Sequence, residues 1–338
     1  MSEIVTIGLD LAKNVFQVHG VAADGRVVVR RQLRRSDVLT FFRKVPACLV
    51  GMEACGSAHY WAREIAALGH SVKMMPPAYV KPYIKRGKTD AADAEAICEA
   101  VTRPTMRFVP VKSAEQQSVL MLHKTRELLV RQRVMLTNAL RAHLGELGII
   151  AAQGLVGMKQ LLELFHGCGA TLPALARDAL NGVIAQIESS ERQIAAIEAK
   201  IMAWHRDNER SRRLAAVPGI GPITASAIAV SVPDATVFRS GRQFSAWLGL
   251  TPRSHSSGGK ERNMGITKQG DGYLRRLLVV GATAVLRHAR QSNPSRAWAS
   301  RLIDSKRPKV VAVALANKTA RIAWVLMAKG QEYVAPSI

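Results

Sequence analysis

Metal-finger cysteine spacing is missing from this sequence. Its four cysteines, Cys48, Cys55, Cys98 and Cys168, form no C-x-x-C pair and fall mostly in apolar or helical stretches. That excludes a zinc-ribbon or disulfide framework and reads as reduced thiols of a cytosolic protein. Acids are also scarce. Asp and Glu total 25 against 48 Lys and Arg, a net charge of +23, and an excess of that size calls for a polyanionic partner, because each neutralised phosphate releases a counterion. No stretch reaches membrane-spanning length free of charge, and Met-Ser-Glu-Ile at the amino terminus has no basic region followed by an apolar run. Neither export nor a membrane partner is expected. Hydrophobic residues, at 48% of 338 positions, suffice for genuine cores and argue against disorder. A chain of this length is expected to form two or three domains.

The few acids are placed tellingly. Asp90 and Asp93 open a predicted helix three residues apart, so both carboxylates share one helical face. The apolar run from Ile4 ends in Asp10, and the run from Cys48 ends in Glu53. Taken singly, Asp10 and Glu53 are ordinary strand-end polar residues; taken with the aspartate pair they suggest convergence. Four converging carboxylates repel unless cations neutralise them, and an all-oxygen ligand set suits Mg²⁺ or Mn²⁺. A two-metal site for phosphodiester chemistry is the expectation.

Around those acids the pattern alternates strands and helices. Strands are predicted at Ile4–Leu9, Val15–Val21, Arg26–Arg30, Cys48–Met52 and Ser71–Met75, with Asp24-Gly25 as a hairpin turn and Pro76-Pro77 as a break. Helices are predicted from a Ser36 cap through Arg43 and over Ala58–Leu68. Three meandering strands followed by helix–strand units is the order of an RNase H-like α/β domain. Lys88 sits in a basic, Gly-interrupted segment leading into the aspartate pair.

From Ser113 a long amphipathic helix carries leucines on one face and Lys124, Arg126, Arg131, Arg133 and Arg141 on another, which suits a nucleic-acid backbone. Gly145–Thr171 reads as a connection with a short helix at Lys159–Phe165. Past Pro173 a seven-residue repeat (Leu180, Ile187, Ile194, Ile201) predicts either a self-associating coiled coil or an internal antiparallel pair with the preceding long helix. Leu214–Ile228 has the form of a helix-hairpin-helix, whose Gly219 and Gly221 allow a tight turn with amides able to hold a phosphate. Between Thr251 and Gly265, Ser, Gly and basic residues predominate, so an exposed loop is expected. A serine there would be flanked by Arg253, Lys260, Arg262 and Lys268, cations able to hold a phosphate. Helices are predicted at Tyr273–Arg287, with Arg275 and Arg276 projecting away from its apolar face, and at Val310–Ala328.

Six ordered motifs, Gly8-Leu-Asp-Leu-Ala-Lys13, Met52-Glu-Ala-Cys-Gly56, Lys88-Thr-Asp-Ala-Ala-Asp-Ala-Glu95, Val217-Pro-Gly-Ile-Gly221, Gly249-Leu-Thr-Pro-Arg253 and Ile266-Thr-Lys-Gln-Gly270 with Leu274-Arg-Arg276, resemble the DEDD transposases of the IS110 family. Asn14-Val-Phe-Gln-Val-His19 resembles its IS1111 subgroup. The resemblance implies a RuvC-like domain over 1–150, a linker and helical coiled coil over 151–208, and a mostly α-helical transposase domain with helix-hairpin-helix and serine loop over 209–338. It implies a cytoplasmic, nucleoid-associated homo-oligomeric recombinase. Donor and target double-stranded DNA would be chosen by a noncoding bridge RNA. By motif position the metal-binding tetrad falls on Asp10, Glu53, Asp90 and Asp93. The nucleophilic serine falls on Ser257, which precedes a glycine, with Ser254 and Ser256 as neighbours in the same loop. Serine attack would leave a phosphoserine link and a 3′ hydroxyl, at a site that could be composite between subunits.

Two other readings stay open. One is a junction-resolving nuclease in which water attacks and Ser257 only binds phosphate; the other is a non-catalytic nucleic-acid scaffold.

Overall fold

Short apolar runs separated by turn residues build a five-stranded sheet from the first 75 positions. In the computed structural model, residues 3–85, 87, 89–168, 171–257, 260–287, 302–303 and 305–335 are described, with backbone alone at 155, 254–257 and 260–264. Strands β1 (Thr6–Asp10), β2 (Val15–Val21), β3 (Val27–Arg34), β4 (Leu49–Glu53) and β5 (Ser71–Met75) lie in the order β3-β2-β1-β4-β5. The meander β1-β2-β3 is antiparallel, and β4 and β5 add in parallel through helical crossovers. This is the mixed sheet expected of an RNase H-like domain.

Helices α1 (Val38–Lys44) and α2 (Ala58–Ala67) cover one face, where Ile7, Leu9, Phe16, Val18, Leu33, Phe42, Val50 and Trp61 form the core. Ser36 does not cap α1 as expected: its hydroxyl is hydrogen-bonded to the Asp37 carboxylate at 2.9 Å, and the helix is entered through a 3-10 turn. After the short helix α3 (Pro77–Val80), helix α4 (Asp90–Val101) covers the opposite face. It can do so because Gly8 and Gly51 face each other across the β1–β4 ladder. A Cβ at Gly8 would meet the Ala94 carbonyl oxygen at 2.1 Å, and one at Gly51 would meet Val101 Cβ at 2.7 Å. Two missing side chains thus make the bed on which α4 lies.

The chain groups into two units: Met1–Gln117 with Val230–Gln243 and Met327–Lys329, and Ser118–Ala229 with Phe244–Leu326 and Gly330–Ile338. Helix α5 (Ala114–Glu146) starts on a capping box, Ser113 Oγ accepting from Gln116 N–H and Gln116 Oε1 accepting from Ser113 N–H. In the second unit it is followed by α6 (Gly154–Cys168), longer than the expected short helix, and by α7 (Ala174–Asp207). Leu140, Leu144, Leu161, Phe165, Leu180, Ile184 and Ile187 form one core cluster. Ion pairs Arg126–Glu198 (2.6 Å) and Arg133–Glu191 (3.8 Å) fix α5 and α7 antiparallel. The buried side of the seven-residue repeat is therefore occupied within the chain.

Helix α8 (Glu209–Ala215) turns through Val217–Gly221 into α9 (Pro222–Ser231), and α10 (Gly241–Trp247) follows. The region expected as a loop is instead a hairpin of β6 (Pro252–Ser257) and β7 (Lys260–Ile266). Backbone pairing holds it where no apolar alternation announced a strand. Helices α11 (Gly272–Arg287) and α12 (Pro308–Lys329) complete the unit. α12 has the length and apolarity to cross a membrane, but it buries Val311, Ala312, Ala316, Ala320, Ala323 and Leu326 in the fold and carries Lys318 and Arg321. The span 288–301 lies outside the described residues.

Overpacking a well-filled contact costs about 1–3 kcal/mol, so Gly8→Ala should lower the unfolding free energy by that amount in urea titrations followed by circular dichroism. Gly56→Ala is the control: its added Cβ meets nothing within 4 Å, and its stability should match the parent chain.

Candidate active site

The bed of glycines decides where the acids meet. Thr89 caps α4 by accepting from Ala92 N–H at 3.2 Å, which starts the helix at Asp90 and puts Asp90 and Asp93 in its first turn. Asp10 ends β1 two residues beyond Gly8, on the face α4 covers. Carboxylate oxygens of Asp10, Asp90 and Asp93 lie within 4.8 Å of one another. Glu53 ends β4 two residues beyond Gly51 on that same face; it is not one of this trio, yet its charge acts on Asp10.

The cluster is electrostatically uncomfortable without a counter-charge. Burial, then Asp93, Asp90 and Glu53, push the Asp10 pKa up to about 6, against a lowering by the Leu11 backbone hydrogen bond. Asp93 Oδ1 is buried and makes no hydrogen bond among the described residues, a cost a buried oxygen rarely bears without a ligand. Three carboxylates at this spacing, one with an orphaned oxygen, fit a hard divalent cation.

The second unit frames the expected nucleophile. Ser257 pairs with Lys260 at the far end of the hairpin, Ser256 with Glu261 and Ser254 with Asn263. The hairpin's base is fixed by backbone contacts: Thr267 N–H donates to Thr251 O (2.9 Å) and Lys268 N–H to Gly249 O (3.2 Å). Gly249 and Gly270 have positive φ and approach Gln269 and Trp247 so closely that any Cβ would clash with backbone. Arg275 braces both legs, one nitrogen donating to Leu248 O (2.9 Å) and Gln269 O (2.8 Å), and Asn317 donates to Leu250 O (3.1 Å).

Comparison with known proteins agrees with the placement of these motifs. Residues 7–149 match the DEDD transposase model of IS110 elements, and residues 211–297 match the model described as the transposase IS116/IS110/IS902 family. A probable family 20 transposase of Pseudomonas aeruginosa is 53% identical over 96% of both chains. The transposase for insertion sequence element IS1328 of Yersinia enterocolitica is 40% identical over 98% of both. That for IS1111A of Coxiella burnetii is 37% identical over 98% of this chain and 92% of its own. The chain belongs to the IS110 transposase family. It is a DNA transposase, and its DEDD domain implies a divalent metal, for which Asp10, Asp90 and Asp93 form an acidic group.

Several cations of the transposase expected to meet nucleic acid have partners inside the chain. Arg126 and Arg133 pair with α7 as described, Arg276 pairs with Glu127, and Arg275 is the hairpin brace. Arg253 is exposed on β6, Lys268 is exposed with φ 57°, and Lys260 and Arg262 lie on β7. Gly219, at φ 89°, packs its backbone against Gly281 of α11, where a Cβ on Gly281 would sit 1.9 Å from the Gly219 carbonyl oxygen; a Cβ on Gly221 would meet nothing within 4 Å. Lys88 lies outside the described residues.

A buried chain of hydrogen bonds behind the hairpin escaped the sequence reading. Ser226 Oγ donates to Pro222 O at 2.8 Å, so it accepts from His123 Nε2–H (3.2 Å), and His123 Nδ1 accepts from the Tyr273 hydroxyl (3.0 Å). Tyr273 opens α11 directly after the hairpin. No local pattern flags a histidine whose partners are 103 and 150 residues away.

Two outcomes follow for the transposase. Asp10→Asn should raise the melting temperature without metal, by relieving repulsion and burial of charge, and should abolish the further rise that Mn²⁺ gives the parent chain in differential scanning calorimetry. Burial, then Arg126 and Lys124, push the His123 pKa from 6.5 down to about 4. The unfolded state then binds the extra proton between those values, and stability is lost as pH falls from about 6.5 toward 4. His123→Gln should flatten that part of the pH–stability curve measured by urea unfolding.

Proposed function

We propose that this transposase is a bridge-RNA-guided recombinase of an insertion sequence that cuts and rejoins DNA through a serine–phosphate intermediate. The observation that carries the reading is the trio Asp10, Asp90 and Asp93 gathered within 4.8 Å around an orphaned carboxylate oxygen. With Glu53 beside them these acids would hold Mg²⁺, or Mn²⁺ in its place. The ion would supply Lewis-acid stabilisation of charge developing on the phosphate.

Ser257 Oγ attacks the scissile phosphorus and gives up its proton, the bond to the 3′ oxygen breaks, and a 3′ hydroxyl departs. A phosphoserine keeps the bond energy until a 3′ hydroxyl of the joining strand attacks it and releases the serine. Arg253, Lys260, Arg262 and Lys268 lie on or beside the hairpin that carries Ser257, and cations there stabilise the phosphorane. The turn at Gly219 and Gly221 between α8 and α9 is read as a helix-hairpin-helix that holds a backbone phosphate without reading sequence. Lys88, Arg126, Arg133, Arg275 and Arg276 remain part of this nucleic-acid surface in the proposal, several of them as braces for the elements that touch it.

Guidance by RNA rests on the charge excess of +23 and on the resemblance described above; donor and target duplexes are then chosen by pairing. Assembly into a homo-oligomer finds support on α5. There Met121, Leu128 and Met135 recur every seventh residue and are 65%, 50% and 65% exposed, a seam suited to helix–helix contact. The protein would act on the nucleoid in the cytoplasm.

The test is strand cleavage of a supercoiled donor plasmid with and without co-purified RNA. Ser257→Ala should abolish cleavage and the covalent protein–DNA adduct, while Ser254→Ala and Ser256→Ala should retain both. Cleavage surviving in Ser257→Ala without an adduct would establish the water-using nuclease instead, and full function in Asp90→Asn would establish the scaffold.

A further inference from the structure

The sheet has one open polar flank that the reading above leaves idle. Register places Gln17 of β2 directly opposite Asp10, and Gln32 of β3 directly opposite Gln17. Directly opposed residues share a face, so Asp10, Gln17 and Gln32 form a row across three strands on the face that α4 covers. At strand spacings of about 4.8 Å the row extends roughly 10 Å from Asp10 to the free edge. Val15 and Arg34 form the next cross-strand pair on the same face.

Each member of this flank has unused capacity. Gln17 is 7% exposed, and its carboxamide makes no hydrogen bond among the described residues. The amide's nitrogen and oxygen are not sealed from solvent as the unpaired Asp93 oxygen is, so a ligand can reach them. Gln32 and Arg34 are exposed, and their side chains form neither a hydrogen bond nor an ion pair among the described residues. Val15 is exposed at 44%, an apolar neighbour for a sugar ring. Arg30, one pair further along, is already drawn to Glu95 at 3.3 Å, so the unspent positive charge on this face of β3 is Arg34. Beside it Arg35 lies over the Trp61 ring (5.0 Å) and donates to Lys13 O (3.4 Å), which ties the β1–β2 turn to the end of β3.

We propose that this flank, made of Val15, Gln17, Gln32 and Arg34, seats the sugar–phosphate backbone of the DNA strand whose scissile phosphate is held at the aspartates. The proposal rests on the metal-site reading above and deepens it. Charge fits a phosphate at Arg34, hydrogen-bond capacity fits phosphate or sugar oxygens at Gln17 and Gln32, and the row runs unbroken into Asp10. At about 3.4 Å of rise per nucleotide, 10 Å corresponds to about three nucleotides. Contacts of this kind position a strand without reading its bases.

The same strand supplies the control. Arg31 has the same charge and is also exposed, but its register opposite Val18 puts it on the other face of the sheet. The experiment measures binding of a single-stranded DNA oligonucleotide by fluorescence anisotropy across a salt series, for the full chain, Arg34→Gln, Arg34→Lys and Arg31→Gln. Losing one phosphate contact should lower the slope of log affinity against log salt by about 0.7. Arg34→Gln should show that loss, Arg34→Lys should restore it, and Arg31→Gln should keep the parent slope. A photocrosslinking residue in place of Gln32 should capture the DNA, and one in place of Arg31 should not.

Equal slopes in Arg34→Gln and Arg31→Gln overturn the proposal, whether both fall or neither does. So does a loss confined to an RNA oligonucleotide, which would make the flank an RNA seat. None of these results touches the metal-site reading, which fails separately if the chain still cuts DNA with its aspartates replaced. Melting temperatures of the three arginine variants should match the parent, because neither arginine has a side-chain partner among the described residues to lose.

Discussion

Helix α4 lies on two glycines, and almost everything chemical in the first unit depends on that contact. Gly8 and Gly51 are cross-strand neighbours in the parallel ladder, and α4 occupies the space their side chains would fill, with its backbone at Gly8 and the Val101 side chain at Gly51. The approach brings the first turn of α4 level with the end of β1, so three carboxylates crowd together. Such crowding is destabilising in isolation. The fold accommodates it through the cluster in which Ile97 and Val101 of α4 are buried with Met75 and Val80 and through the Thr89 cap at its start. Stability elsewhere thus sustains a site that repels itself until a cation arrives.

The second unit solves a different problem, holding a polar hairpin without an apolar core of its own. β6 and β7 contain few residues able to anchor a strand by burial, so the anchoring falls to the base. Arg275 reaches two carbonyls, Asn317 a third, and the left-handed glycines at 249 and 270 let backbone meet backbone. Behind them His123 ties α11 to α9 through a proton order that leaves the imidazole neutral. The sequence motifs Gly249–Arg253, Ile266–Gly270 and Leu274–Arg276 are, in three dimensions, the two legs of one hairpin and its clamp.

Legibility in the sequence followed the range of the forces involved. The strands and helices of the first unit were readable because apolar runs alternate with Asp24-Gly25 and Pro76-Pro77, signals that act over a few residues. The convergence of Asp10 with Asp90 and Asp93 was readable once a mixed sheet was assumed, since a strand end and a helix start point to one place. The hairpin reads as loop in the sequence because its residues have no alternation to see; backbone pairing and a distant arginine hold it. The arginines of α5 looked available because their partners, Glu191 and Glu198, are 58 to 72 residues away. The repeat in α7 was visible in its period, but which surface it meets is a tertiary matter, and the surface proves to be α5 and α6 of the same chain.

Strand β3 is the border of its sheet, and its outward residues include Arg30, Arg31 and Arg34. An uncapped border ordinarily invites a foreign strand to add on, which is how sheets nucleate fibrils. Here a newcomer with the same arginines would be repelled before its amides came within reach. Copies of this protein are thereby discouraged from joining sheet to sheet, and that margin remains accessible to a polymer of opposite sign.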